Sequence, residues 1–368
     1  CLLAALALVG GRARPILAQE DPSQEIRELQ EPAPEAVELE LTSPETSVDE
    51  ADPSVEEQAT ESEEMAAEPE EEERETFGDR FRRGDLFGCF DAQARFFPQE
   101  AAPLPNGAPA PNDYWFNGSL AWEPGFFMNV TDYMNFELIL FGRVDQNDRN
   151  RTHGDIREAF FELFFDQWTF GFGMHKVFWG VTESRHLVDI INQVDLVEDF
   201  DTDIKLGQPM ITTSFTHDKA GIYSLYVMSW ARQLVFPGPL GRPTLPIPVD
   251  NDLAVYESRM KQGQIDVACR WSHSMAGFDW GLSYFFGTAR EPQLFGDPPG
   301  APLPTVLRPV YELIHQGGLD VQYTIEGWLL KVESIVRGGQ GKTFGAVAGG
   351  FEYTFYQVAG SIVDIGLI

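Results

Sequence analysis

The sequence predicts an all-β fold: an antiparallel transmembrane β-barrel behind a disordered acidic tail. Three observations carry this. From Asp155 onward, runs of about ten residues alternate apolar with polar or small side chains, the length and period of a barrel strand crossing a bilayer. Aromatic residues make up 12% of the 368 residues although the mean hydropathy is only −0.22. Short turns alternate with long loops between the runs, as periplasmic turns and external loops do in outer-membrane barrels. After the N-terminus no apolar run approaches the roughly 18 residues of a membrane helix.

Taken in order, residues 1–19 read as a truncated secretory signal. Residues 2–10 are its apolar centre, and Ile16-Leu17-Ala18 is its cleavage site. The charged start of a signal is missing, so the chain is expected to begin inside it; a small buried helix is the alternative. Residues 20–78 form the tail. Between 20 and 75 there are 23 acids against Arg27 and Arg74, with almost no aromatics, too little apolar surface to offset the entropy of ordering. The expectation is a solvated periplasmic segment, or one that meets a basic periplasmic partner. With a net charge of −32, nucleic-acid binding is disfavoured.

Residues 79–368 are read as an incomplete outer-membrane barrel. Alternation marks strands at 86–97, 114–122, 126–142, 156–165, 168–176, 209–217, 221–230, 263–272, 277–287, 311–324, 328–337, 344–354 and 359–368. In the fifth, Trp168, Phe170, Phe172 and Met174 interleave with Thr169, Gly171, Gly173 and His175. In the ninth, Phe278, Trp280, Leu282 and Tyr284 interleave with Asp279, Gly281, Ser283 and Phe285. Cys269 falls on an apolar face and should point to lipid. Glu123-Pro124-Gly125, Asp166-Gln167, Asp218 to Ala220, His273 to Ala276 and Ile325 to Gly327 read as short turns. Residues 98–113, 143–155, 177–208, 231–262, 288–310 and 338–343 read as longer loops. Single-chain barrels have an even strand number, so about thirteen strands imply a fragment of a larger one.

The stretch 176–195 departs from alternation. Thr182 is placed to cap a short helix through Leu187, Ile190 and Ile191. If loop 177–208 folds into the lumen as a constriction, Glu183, Arg185, Asp189, Asn192, Asp195 and Lys205 face the pore. If it packs on the rim, Asp189 and Asn192 serve turn geometry. Alternation assigns Glu158, Glu162, Asp266, Asp279, Asp320, Glu333 and Glu352 to the lumen wall, against Arg270 and Lys331. An acidic wall favours cations, unless these charges only pair with one another.

Arg157-Glu158-Ala159-Phe160, then Trp179-Gly180, then Asp189-Ile190-Ile191-Asn192-Gln193-Val194-Asp195 follow one another along the chain. In these motifs the chain resembles a family of porin-like outer-membrane proteins of unknown function, in the style of the phosphate-selective and alginate-export porins. Gln193 stands where that family has Pro. The resemblance implies a bacterial outer-membrane barrel surrounded by lipid and supplies no substrate. The alternation of loop lengths puts the tail in the periplasm, and the barrel reading itself implies passage of small hydrophilic solutes and is compatible with a homo-oligomer. The acidic wall makes it weakly cation-leaning. The alternative is a non-conducting barrel acting as surface receptor or envelope tether. An enzyme is disfavoured. His273-Ser274 sits in an expected periplasmic turn, and no G-x-S-x-G, H-E-x-x-H or phosphate-loop motif occurs. No cofactor or metal is expected. Asp199-Phe200-Asp201-Thr202-Asp203 fails as an EF-hand because Ile204 and Met210 occupy its Gly and Glu positions.

Overall fold

The computed structural model describes residues 77–300 and 302–368. The signal segment and nearly all of the tail lie outside these. The described part opens with a short helix, α1 (Phe77–Arg82), followed by β1 (Asp85–Phe96), β2 (Phe116–Thr131), β3 (Met134–Asp145) and β4 (His153–Phe165). Next come β5 (Trp168–His175), β6 (Gln208–His217), β7 (Gly221–Met228), β8 (Val255–Tyr256), β9 (Asp266–Met275) and β10 (Phe278–Thr288). The last are β11 (Gln293–Asp297), β12 (Val306–Tyr311), β13 (Leu313–Ile325), β14 (Trp328–Gly338), β15 (Phe344–Phe355) and β16 (Ile365–Leu367). Thirteen of these form one antiparallel sheet in chain order; β8, β11 and β12 form a separate three-stranded sheet inside the long connections.

Period-two alternation decides the two faces. On β9 and β10, Val267, Cys269, Leu282 and Tyr284 are exposed while Asp266, Ala268, Ser283 and Phe285 are buried. The polar face is thus the covered one, the inverse of a soluble sheet. What covers it is the connection 176–207. One buried core joins Phe160 of β4, Met210 of β6, Met228 of β7, Ala268 of β9, Phe285 of β10, Ile314 of β13 and Ile335 of β14 to Trp179, Val188, Ile190 and Ile191 of that loop. Seven strand-to-strand steps separate β4 from β14. Laid flat, they would stand about 34 Å apart. They share one core because the sheet curves around the loop as a barrel wall.

Several expectations are corrected. Glu123-Pro124-Gly125 is not a turn: β2 runs through it, and the β2–β3 turn is at Asp132-Tyr133. Pro124 is tolerated because the ladder to β3 is interrupted between Trp122↔Gly142 and Gly125↔Ile139, so no bond from its nitrogen is needed there. On the other side it faces Gly88, whose φ of +149° lets the two backbones approach. The strand expected over 359–368 shrinks to Ile365–Leu367, behind a 3-10 turn at Val358–Gly360. Strands β8, β11 and β12 were not legible, since two to six residues cannot show a period. Thr182 caps no helix. Its hydroxyl donates toward Arg185 O and Glu333 instead, and the loop stays irregular.

Candidate functional site

The loop leaves β5 at His175 and returns at Gln208. Its first limb, 176–192, lies against the inner face. Val188 and Ile191 are fully buried there, a burial that stabilises by about 1.5–3 kcal/mol per side chain. Small wall residues make the room. A Cβ added at Gly318 would lie 3.1 Å from Val188 Cγ1. The second limb, 193–206, is a hairpin closed by Asp195 N to Ile204 O and Leu206 N to Gln193 O, both 2.8 Å.

Buried polar groups hold the first limb. Glu333 of β14 is 0% exposed. Its Oε1 accepts from Val181 N (2.8 Å), Thr182 N (3.0 Å) and Thr182 Oγ1 (2.8 Å), and its Oε2 from Val188 N (3.2 Å). A buried carboxylate is tolerable because four donors replace its water. Glu158 of β4 does the same at the loop's start, accepting from Lys176 N at 3.1 Å with His175 Nδ1 at 3.0 Å. Asn192 ties the two limbs at their base. It accepts from Val177 N and donates to His175 O and Leu206 O. Gln193 donates from its side-chain amide to Arg232 O and Arg290 O.

Arginines from the wall hold the hairpin. A β-bulge puts Ile139 opposite Glu158 and Leu140 opposite Ile156, leaving Arg157 as the extra residue. Arg157 and Glu158 therefore both turn inward, each 1% exposed. Arg157 Nη2 is 2.5 Å from Asp195 Oδ2, and its guanidinium lies 4.3 Å over the Phe141 ring. Arg143 bonds Glu198 at 2.7 Å and Asp91 at 2.9 Å, and Arg151 donates to Val197 O. Burial alone would raise the Asp195 carboxyl, but hydrogen bonds from His153 and Arg157, with their charge, bring it below the ordinary carboxylate value. At Glu198 and Asp189 burial prevails over the opposing Arg143 and Lys205, and both carboxyls are raised.

Of the six residues expected to face the pore, four are covered. Asp189, Asn192 and Asp195 are buried between loop and wall, where they anchor the loop. Lys205 is mostly buried against Asp189 at 3.1 Å. Glu183 and Arg185 are exposed, at 60% and 54%, beside Lys331 and Glu291 respectively. All the assigned wall residues take part in contacts. Asp266 binds Arg290, Arg270 binds Asp320, Lys331 bridges Glu183 and Glu352, Asp279 accepts from Ser274, and Glu162 is partnered as well. Sequence reasoning missed Arg143, Arg151, Arg157, Arg290 and Glu198. Arg157 was hidden by the bulge, Arg143 by a strand that runs to Asp145, past its expected end at 142, and the rest by loops whose course no period reveals. Among the described residues no three His, Cys, Asp or Glu converge to hold a metal ion.

No protein-family model matches the chain, and no curated protein matches it. Among solved structures it is similar to the high-pH form of OprB from Pseudomonas putida. That likeness has 12% identity and a TM-score of 0.38, over 76% of this chain and 73% of the other. It is also similar to OmpF of Salmonella typhi in complex with daunomycin, at 9% identity and TM-score 0.30, over 74% of this chain and 86% of the other. At these values the likeness assigns this chain neither a family nor a ligand.

Proposed function

We propose that the chain is a bacterial outer-membrane channel for small hydrophilic solutes, narrowed by loop 176–207. One observation carries the reading: the curved sheet exposes an apolar face and turns its charged face inward onto an anchored loop. An exposed apolar face on a curved antiparallel wall suits lipid, and a polar interior suits water-borne solutes. The orientation follows from the turns. Asp132-Tyr133, Asp166-Gln167, Ala276-Gly277 and Glu326-Gly327 all close short hairpins at one end. Arg80 of α1 binds Asp132 there at 2.8 Å, so the described part of the chain starts at that end, the periplasm in this reading.

The weak cation preference no longer rests on wall carboxylates, which are partnered. It rests on the exposed Asp199, Asp201 and Asp203 of the hairpin tip. Lipid on the apolar face, a homo-oligomer and a basic partner for the tail belong to the same proposal.

The core between loop and wall favours a second reading, a barrel filled by its own loop that serves as receptor or tether. Planar-bilayer recording of the purified chain separates the two. Stepwise conductance with a cation-directed reversal potential in a salt gradient is expected. A membrane-inserted protein that passes no current would sink the channel and leave the second reading.

A further inference from the structure

We propose that His186 is a proton-operated clasp that fastens the hairpin tip of the loop onto its first limb at mildly acidic pH. The inference rests on the channel reading only for its effect on current; the clasp itself is a matter of loop geometry.

His186 lies on the first limb with its side chain 16% exposed. Its ring stands edge-on against Phe178, with centroids 4.8 Å apart. Nε2 points to the hairpin and lies 3.5 Å from Asp203 Oδ1, longer than a made hydrogen bond. Nδ1 is buried and has no hydrogen-bond partner. It faces Gly180, whose φ is +155°. A Cβ at that glycine would lie 3.0 Å from His186 Nδ1 and 3.1 Å from Glu333 Oε1, so bare backbone lets the imidazole and the buried carboxylate approach one spot. Asp189 is close enough to interact with the His186 charge, and Lys205 sits against Asp189. The charged groups facing the ring are therefore Glu333 from β14, Asp189 from the same limb, and Asp203 and Lys205 from the hairpin.

Three carboxylates against one ammonium leave the site two positive charges short, of which a protonated imidazole supplies one. A neutral imidazole supplies none, and one of its nitrogens is left without a partner. Proton uptake supplies the charge and makes both nitrogens donors. Nε2–H then closes the gap to Asp203 as a charge-assisted bond, which is shorter and stronger than a neutral one. Asp203 is 60% exposed and free to follow. Its movement brings the tip, with Asp199 and Asp201, toward the first limb. With His186 neutral the tip is loose; with it protonated the clasp is shut.

Two other inner-face histidines control for unspecific titration. His153 lies 3.3 Å from Asp195, and His175 3.0 Å from Glu158. They already hold their carboxylates, so any response they give persists when His186 is replaced. The test is hydrogen exchange by mass spectrometry on the full chain in detergent, between about pH 7.5 and 5.5 with intrinsic rates corrected, the span over which an imidazole ordinarily titrates. Amides of 198–206 should gain about tenfold protection toward acid in wild type, and much less in His186→Gln and Asp203→Asn. Equal gain in wild type and His186→Gln would overturn the clasp, as would no gain in wild type. Planar-bilayer recording adds the second arm. Conductance should fall by roughly twofold over the same span in wild type and not in His186→Gln, as the tip moves in the focused field of a narrow pore. An exchange response without any current would defeat the channel and leave the clasp. Current without an exchange response would defeat the clasp and leave the channel.

Discussion

At the scale of single residues, the inner face works by giving its buried charges partners, some on the loop and some on the wall. Asp195 shows how much depends on one member. Arg157 is 2% exposed at its side chain, so Asp195→Asn leaves its guanidinium in a dry place with only the longer ion-pair contact to Asp155, at 3.7 Å. The expected cost is about 3–5 kcal/mol in urea unfolding at neutral pH, with the arginine replaced in parallel to confirm a shared loss. The pH dependence has a definite sign. The folded carboxyl lies below its ordinary value of 3.8, so its contribution is present above that pH and is lost as pH falls through the folded value. The gap between wild type and Asp195→Asn should therefore close in strong acid; a gap constant with pH would deny the pair its role. That Asp266, Asp320 and Glu333 share the covered face with their strand neighbours two positions away follows from a strand's period of two, which nothing interrupts there. The inward turn of Arg157 does not. One inserted residue turns two neighbours to the same side, and the alphabet of side chains carries no mark of it. Nor does a sequence say that a carboxylate such as Asp189 will be covered rather than open to water; that depends on what lies above it.

At the scale of elements, the strands of the main sheet were legible wherever alternation ran unbroken over eight or more residues, as in β5 and β14. The reading failed where local chemistry argued against tertiary context. Glu123-Pro124-Gly125 has turn composition, yet partners on β1 and a gap in the ladder to β3 keep it extended. The loop could be recognised as exceptional but not drawn. Its two limbs are shaped by contacts with β4, β10, β13 and β14 rather than by its own propensities. The corrected β2–β3 hairpin gives a direct experiment. A short epitope inserted between Asp132 and Tyr133, at an exposed turn, should leave the folded yield on gels within about twofold of wild type. The same insertion at Pro124-Gly125 should abolish it, because it shifts every inward residue of β2 to the wrong face. Equal tolerance at both sites would restore the shorter strand.

At the scale of the whole molecule, a curved sheet with an apolar outer face should resist extraction from membranes by salt or carbonate and should run faster on gels unheated than boiled. A protease site placed in loop 231–262 should be cut from outside intact cells, and one near Glu50 should not. The reverse pattern would invert the topology. The distribution of contacts along the chain has a further consequence, for the order of assembly. The loop joins β5 to β6, yet Thr182 finds its carboxylate 151 positions later, at Glu333, and Gln193 bonds Arg290 after 97. Until β14 arrives, the core around Val188 and Ile191 lacks Ile335, and the amides of residues 181, 182 and 188 lack the Glu333 carboxylate. The centre of the protein is therefore among the last parts to be made, and loop closure over such separations is slow. A chain arrested before β14 would expose greasy side chains on a half-wrapped wall. During export it would be a natural client for holdase chaperones, and the fewer residues that follow β10, the longer it should stay in their keeping.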